Sequence, residues 1–362
     1  MRVIDSDGHF FSDNEGMAKF LPAGTVPRGG AIFPPLDHLH SFIGTTPPGS
    51  FRPVDPQGWI DFMDDVGIES TVLYGGLAYS KINHRDWAIA VARAYNDWLA
   101  ETYVQRSPRF NGMALIPMQE PEAAVEELRR AVTELGMVGA TLQTAGLPSD
   151  LGAKEYWPVY AEADRLGCAI GVHGGTHAGF GMDQMNVYTP VGALGHPFGL
   201  AIHFASILFN GCLDRYPNAH FAFLEGGVSW VLMALERFDR AHDTHEQWNP
   251  RGELAPPPGV KVSDYIRKHV KEGRLYIGCE GAEEDIAYAC RRVGSEAFMY
   301  SSDFPHEVNN AICRAEIREL VESEDLTDEA KANITHRNAE RFYRFSERPR
   351  VPEKLATAQV SG

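Results

Sequence analysis

The residues of this chain best suited to chemistry sit where apolar runs give way to polar or glycine-rich sequence. Asp7-Gly8-His9 ends the run that begins at Val3. Residues i and i+2 of a strand share a face, so a strand ending here projects a carboxylate and an imidazole together. Gly8 between them leaves room for close backbone packing. His173 closes the run AIGV and precedes Gly174-Gly175. Asp303 lies in SSDFPH, just after AFMY. Each has an ordinary alternative: a capping Asp with a surface His, a His bonded to backbone, an Asp that caps the next helix. Taken together, two carboxylates and two imidazoles from three strand ends make a four-ligand shell with open positions, which a catalytic metal site requires. One divalent ion, zinc or manganese, suits Asp7, His9, His173 and Asp303.

Such a shell needs elements that bring distant segments together. Short apolar runs alternate with amphipathic stretches along the chain, the pattern of an α/β fold. The expected strands are Val3–Asp7, Ser70–Gly75, Phe110–Pro117, Val138–Thr144, Cys168–His173, His220–Glu225, Leu275–Cys279 and Ala297–Ser302. The clearest helix is Glu120–Leu135, where Ala124, Leu128, Val132 and Leu135 recur at helical spacing. Pro121 falls in its first turn and Gly136 just past its end. Eight strands with helices between them predict a single (β/α)₈ TIM barrel, with an open doubly wound sheet as the alternative. Two Gly-rich stretches, Phe10–Pro56 and Gly174–Gly199, follow strands 1 and 5 as long insertions. Loops after barrel strands build the active site, so both are expected to wall the pocket. Gln247–Gly259 is a third long loop. The barrel is expected over residues 1–346, with a C-terminal tail over 347–362.

Composition excludes several classes. A formal net charge of −16 over 362 residues disfavours nucleic acid, whose binding needs a basic face. The five cysteines contain no CxxC pair and are odd in number, which speaks against a disulfide framework and fits a reducing cytoplasm. No apolar run was expected to reach the ~18 residues of a membrane span, and the start of the chain lacks a signal-peptide pattern. A soluble, cytoplasmic protein with no membrane partner is the expectation.

Several segments, in order, carry a family resemblance. They are IDSDGH, MALIPMQEPEAAVEELRRAVTELGMVGATL, GVHGG, CLDRYPNAHFAFLEGGVSW, YSSDFPH and THRNAERFYRF. The chain resembles the amidohydrolase superfamily. It is most similar to the amidohydrolase-related group that includes aminocarboxymuconate-semialdehyde decarboxylase and γ-resorcylate decarboxylase. YSSDFPH is the most specific of these motifs. The resemblance implies a barrel enzyme with one divalent ion, Asp303 as both metal neighbour and proton carrier, and a homodimer. Two features bear on that analogy. Many relatives end strand six in His, where this chain has Glu225. Binuclear relatives end strand four in a carboxylated Lys, whereas GATLQT has none, so a single ion is expected.

The resemblance favours non-oxidative decarboxylation of a small aromatic or unsaturated carboxylic acid. The first alternative is hydrolysis by a metal-activated water, with Glu225 serving the reaction. The second is a non-catalytic ligand-binding barrel. Glu225 either acts in the site beside Asp303 or pairs with an arginine such as Arg237. His177, Trp230 and Arg237 are the candidate substrate contacts, with Arg237 able to grip a carboxylate bidentately. His203 reads as a packed helix residue, and His306 as an orienter of Asp303 or a solvated side chain.

Overall fold

The computed structural model describes residues 1–347, apart from 12, 26, 36–43 and 282. The expected tail falls outside the described residues from 348 onward. Eight strands run in the order β1 to β8: Ile4–His9, Ser70–Tyr74, Phe110–Leu115, Gly139–Gln143, Ala169–His173, His220–Leu224, Leu275–Cys279 and Phe298–Tyr300. Each successive pair is parallel. This is the (β/α)₈ barrel, not the open sheet. The seam between β8 and β1 closes just beyond the three residues of β8. There the Asp303 amide donates to the Asp7 carbonyl at 3.1 Å, and the His9 amide donates to the Phe304 carbonyl at 2.8 Å.

The anticipated helix is present as Pro121–Thr133, with Pro121 in its first turn. Gly136 follows in the left-handed region at φ +78. After β1, residues 10–55 contain the short helix Asn14–Ala18 before the long helix Pro56–Val66 begins. After β5 the outcome differs from expectation. A helix begins at Thr189 with Pro190 in its first turn and runs to Phe209, so only 174–188 remain a connection. Glycines at 192, 195 and 199 hid its periodicity in the sequence.

The same helix corrects the membrane expectation as it was stated. Its 21 residues are long and apolar enough to cross a bilayer by length and composition. Half of the relevant window is buried inside the protein, where Leu200, Phe204, Ile207 and Leu208 join the core. That is how a helix packed on a barrel reads when Gly, Ala and His replace charge on its other positions.

The lumen is filled by inward residues of the strands, among them Val72, Tyr74, Met113, Leu224 and Met299. The helix Asn338–Tyr343 closes it from below, adding Phe342 and Tyr343 to the same cluster. Its contacts fix which end it covers. Asn338 donates to the carbonyl of Phe298, the first residue of β8, at 2.7 Å. The His220 imidazole, at the start of β6, meets the Phe342 carbonyl at 3.3 Å. The C-terminal ends of the strands therefore stay open.

Candidate metal centre

The site begins with a bulge. Between Asp5 and Gly8, β1 has one residue more than β2. The extra residue changes which face each side chain meets. Asp5 faces the surrounding helices, where its carboxylate accepts from the Thr71 hydroxyl at 2.6 Å, the Ser302 amide at 2.8 Å and the Asp7 amide at 3.2 Å. Gly8 faces the same way into a space with no room for a side chain. A Cβ there would stand 2.5 Å from Thr71 Oγ1 and 2.7 Å from both Asp5 Oδ2 and Trp59. Asp7 and His9 face the lumen together.

Two further ligand-type residues leave their strands in the left-handed region: Glu225 at φ +62 after β6, and Asp303 at φ +53 after β8. Non-glycine residues pay ~1 kcal/mol or more for this conformation, which clusters at functional sites. Here it turns both carboxylates back over the mouth. His9 Nε2 lies 3.5 Å from Asp7 Oδ1 and 3.3 Å from Asp303 Oδ1. His173 Nε2 lies 3.4 Å from Asp7 Oδ2 and 3.2 Å from Glu225 Oε2. Asp7, His9 and His173 are each 1% exposed.

The donor set fits a divalent cation. His173 Nδ1 lies 2.6 Å from the Gly174 carbonyl, which can only accept, so Nδ1 carries a hydrogen and Nε2 is the atom left for a cation. That nitrogen points at two carboxylates. Both Asp7 oxygens, His9 Nε2, His173 Nε2 and Glu225 Oε2 are buried without an aligned hydrogen bond. Converging acceptors are costly in a dry site unless a positive charge joins them. Candidate ligand atoms of Asp7, His9 and His173 lie within 4.8 Å of one another, as do those of His9, Glu225, Asp303 and His306.

Protonation energetics show the same demand for positive charge. Burial pulls the His173 imidazole down, but Asp7 and Glu225 outweigh it and lift its pKa to about 10. Burial pushes Glu225 up, yet the His196 and His173 imidazoles hold it well below the usual carboxylate range. Asp303 is likewise lowered, because His306 outweighs burial. His306 Nδ1 donates to Asp303 Oδ1 at 2.8 Å, and its ring stacks on His9 with centroids 4.2 Å apart. Of the two roles open to His306, orienting Asp303 is the one realised.

The other candidates separate. His177 is buried, with its ring 4.9 Å from that of His196. Trp230 does not line the mouth as expected; its ring packs between Phe204 and Phe223, at 5.3 and 5.8 Å, in the hydrophobic core. Arg237 is exposed on the helix Ser229–His245. Eight residues beyond Ser229, it lies ~12 Å along the helix axis. Glu225 is balanced by His173, His196 and His306 instead. His203 is the packed residue anticipated: its Nδ1 accepts from the Leu151 amide at 3.1 Å and its Nε2 meets the Thr144 carbonyl.

Two residues near the site escaped the sequence reading. His196 was only one of two histidines in a Gly-rich stretch. Glu280, directly after β7, joins Asp7, Glu225, Cys279, Ser301 and Asp303 in lining a narrow cleft. Part of Glu280 is exposed at the rim, but burial of its carboxyl and then the Asp303 charge push its pKa up to about 8. Its position at a strand end was the available signal.

The sequence profile of the amidohydrolase family matches residues 4–345. The chain is 27% identical over 277 residues to the γ-resorcylate decarboxylase of Rhodococcus jostii, covering 70% of this chain and 78% of that one. It is 25% identical over 257 residues to the 2-amino-3-carboxymuconate-6-semialdehyde decarboxylase of Dictyostelium discoideum, covering 70% and 67%. In fold it is similar to a dihydroxybenzoic acid decarboxylase of Polaromonas sp. JS666, solved with manganese and the inhibitor 2-nitroresorcinol. The TM-score there is 0.69 at 21% identity, covering 98% of this chain and 99% of that one. The chain belongs to the amidohydrolase family.

Proposed function

We propose that this protein is a metal-dependent, non-oxidative decarboxylase of a small aromatic or unsaturated carboxylic acid. The observation that carries the proposal is the convergence of buried, unpartnered acceptors on Asp7, His9, His173 and Glu225. The decarboxylase names of its relatives supply the reaction class. Asp7, His9, His173 and Asp303 would hold one manganese or zinc ion. When bound, that ion supplies positive charge for the substrate's carboxylate and an adjacent oxygen.

In this reading Asp303 carries the proton that goes to the carbon losing CO₂, and His306 holds its Oδ1 in place. The open question from sequence was how an anionic acid could approach Glu225. Two ionised carboxylates ~4 Å apart repel by roughly 4 kcal/mol at an effective dielectric of 20. His196 Nδ1, 3.2 Å from Glu225 Oε2, faces that carboxylate and disperses part of its charge without Arg237, which supports a carboxylate substrate.

The reading takes residues 1–346 as the catalytic unit. It includes a homodimer, supported by the exposed apolar side chains of Phe198 and Ile202, one turn apart on the helix 189–209. The helix 189–209 carries no charged residue, so two copies of a chain with net charge −16 can meet there without like-charge contact. Five free cysteines support a reducing cytoplasm.

The test is CO₂ release from hydroxylated benzoates by the manganese-loaded protein, run beside Glu225→Gln. Decarboxylation predicts CO₂ with stoichiometric decarboxylated product, and a Gln variant of equal or better kcat. Hydrolysis of a neutral carbonyl substrate with loss of kcat in Glu225→Gln, and no CO₂ release, would transfer the site to the hydrolase reading.

A further inference from the structure

The helix Thr189–Phe209 has no charged residue, yet it delivers an imidazole to the edge of the mouth. His196 Nδ1 stands 3.2 Å from Glu225 Oε2. Glycine makes the space for this. A Cβ on Gly174 would sit 2.6 Å from the His196 ring, and a Cβ on Gly195 would sit 2.3 Å from the ring of His177. Two glycines thus let two imidazoles seat edge to face, with the outer one against Glu225.

His203, two turns further along the same helix, shows what a structural histidine looks like here. Both of its nitrogens are taken by backbone groups. His196 differs on both counts. Its side chain is 25% exposed, and among the described residues nothing hydrogen-bonds to its Nε2. A carboxylate facing Nδ1 favours the tautomer with hydrogen there, which leaves the Nε2 lone pair open. A carboxylate that fixes one imidazole nitrogen while the other is left without a partner is the arrangement of a proton-transfer pair.

We propose that His196 is a catalytic residue of this site, whose Nε2 takes up and returns the proton of a substrate hydroxyl, with Glu225 as its positioning residue. The proposal rests on the decarboxylase reading and narrows it to aromatic acids bearing a hydroxyl beside the carboxylate. The hydroxyl O–H bond breaks as Nε2–H forms, and the oxygen's electron pair enriches the ring carbon that bears the carboxylate. That carbon bonds to the proton carried by Asp303. The bond to the carboxylate then breaks, its electron pair restores the aromatic ring, and CO₂ leaves. Nε2 returns its proton to the oxygen, and Asp303 takes up a proton from the solvent. One carboxylate and one proton become one arene and one CO₂.

The experiment uses full-length, manganese-loaded protein with 2,6-dihydroxybenzoate. His196→Ala should lose ~10²-fold or more in kcat, the usual scale of acid–base help, with metal content unchanged. Free imidazole in the buffer should restore part of that rate. His196→Asn, whose amide can still face Glu225 in place of Nδ1, should be as slow as the Ala variant. A wild-type rate in His196→Asn, or no response of His196→Ala to imidazole, would show a packing role and overturn the proposal. If wild-type protein releases no CO₂ from this acid, the decarboxylase reading fails by itself. His196 is then read by diethyl pyrocarbonate labelling and mass spectrometry. Labelling of His196 that 2-nitroresorcinol suppresses supports an Nε2 facing the ligand; an unlabelled or unprotected His196 overturns it.

Discussion

At the C-terminal end of the barrel, Asp7, His9, His173 and Glu225 bury nitrogen and oxygen atoms that no aligned hydrogen bond reaches. At the N-terminal end the plug helix meets most of its polar groups with direct partners, Asn338 Oδ1 excepted. The Tyr343 hydroxyl donates to the Ser6 carbonyl at 2.7 Å and lies 2.9 Å from the Tyr74 hydroxyl. Asn338 donates to the Ser295 and Phe298 carbonyls. Tyr74 then stacks beneath His173, with centroids 5.5 Å apart, so a largely hydrogen-bonded network stands directly under an unsaturated one. Satisfied groups at one end favour the folded state, while unsatisfied ones at the other wait for a ligand. Stability and function are concentrated at opposite ends of one lumen.

Variants that separate the two ends test this division. The largest effect is expected from Asp7→Ala combined with His9→Ala, which removes half of the proposed protein ligands. Tight metal binding and turnover should both vanish while the fold persists, and elemental analysis of the purified variant checks this. Asp303→Asn should lower kcat by ~10²–10⁴-fold, since an amide cannot cycle a proton. Metal content measured on the same sample separates a lost proton carrier from a lost ligand.

The plug should respond in the opposite manner. Phe342→Ala empties a fully buried position, and such truncations cost ~3–5 kcal/mol. Denaturant unfolding should show that loss, while metal stoichiometry at low temperature stays at that of the wild type. A metal-depleted yet equally stable Phe342→Ala would remove the division between the two ends.

A smaller, pH-confined effect should come from Asp5, between the two regions. Burial outweighs its hydrogen bonds and raises its carboxyl from the ordinary 3.8 to about 6. The native state therefore binds the proton more tightly than the unfolded chain between pH 4 and 6. Its stabilising contribution is present below pH 4 and is lost as pH rises through 6, by up to ~3 kcal/mol. In metal-free protein, the stability difference between Asp5→Asn and wild type should shift in favour of the variant across that interval. Denaturant midpoints at pH 4, 5 and 6 measure it, and a flat difference would assign Asp5 an ordinary pKa.

Much of this architecture was legible in the residues. Eight apolar runs located the eight strands, because each barrel strand is buried on both faces and reads as continuous apolar sequence. Asp7, His9, His173 and Asp303 could be placed because each ends such a run. His196 could not, because its role depends on Gly174 and Gly195, two absences of side chain that matter only once a helix and a strand end are brought together. Trp230 and Arg237 failed for a related reason. A helix following a strand shows its first turn to the mouth, and only the angle of that helix decides which residues turn inward. The bulge in β1 was equally hidden, since DSDGH alternates like a regular strand.

That bulge bears on how the segment tolerates change in length, as distinct from change in residue. Substituting Asp5, Asp7 or His9 alters one group and leaves the others facing as they do. Removing one residue between Asp5 and Gly8 would restore strict alternation with β2. With Ser6 removed, Asp5 would become the neighbour of Asp7, and the two would still face opposite ways, Asp5 among the helices and Asp7 in the lumen with His9. Flattening the bulge with every residue kept would instead put Asp5 on the face of Asp7 and His9, stripped of the Thr71 hydroxyl and the Ser302 amide. The extra residue is thus what lets two aspartates two positions apart serve opposite faces, and loss of Ser6 should be far more forgiving than loss of Asp7 or His9.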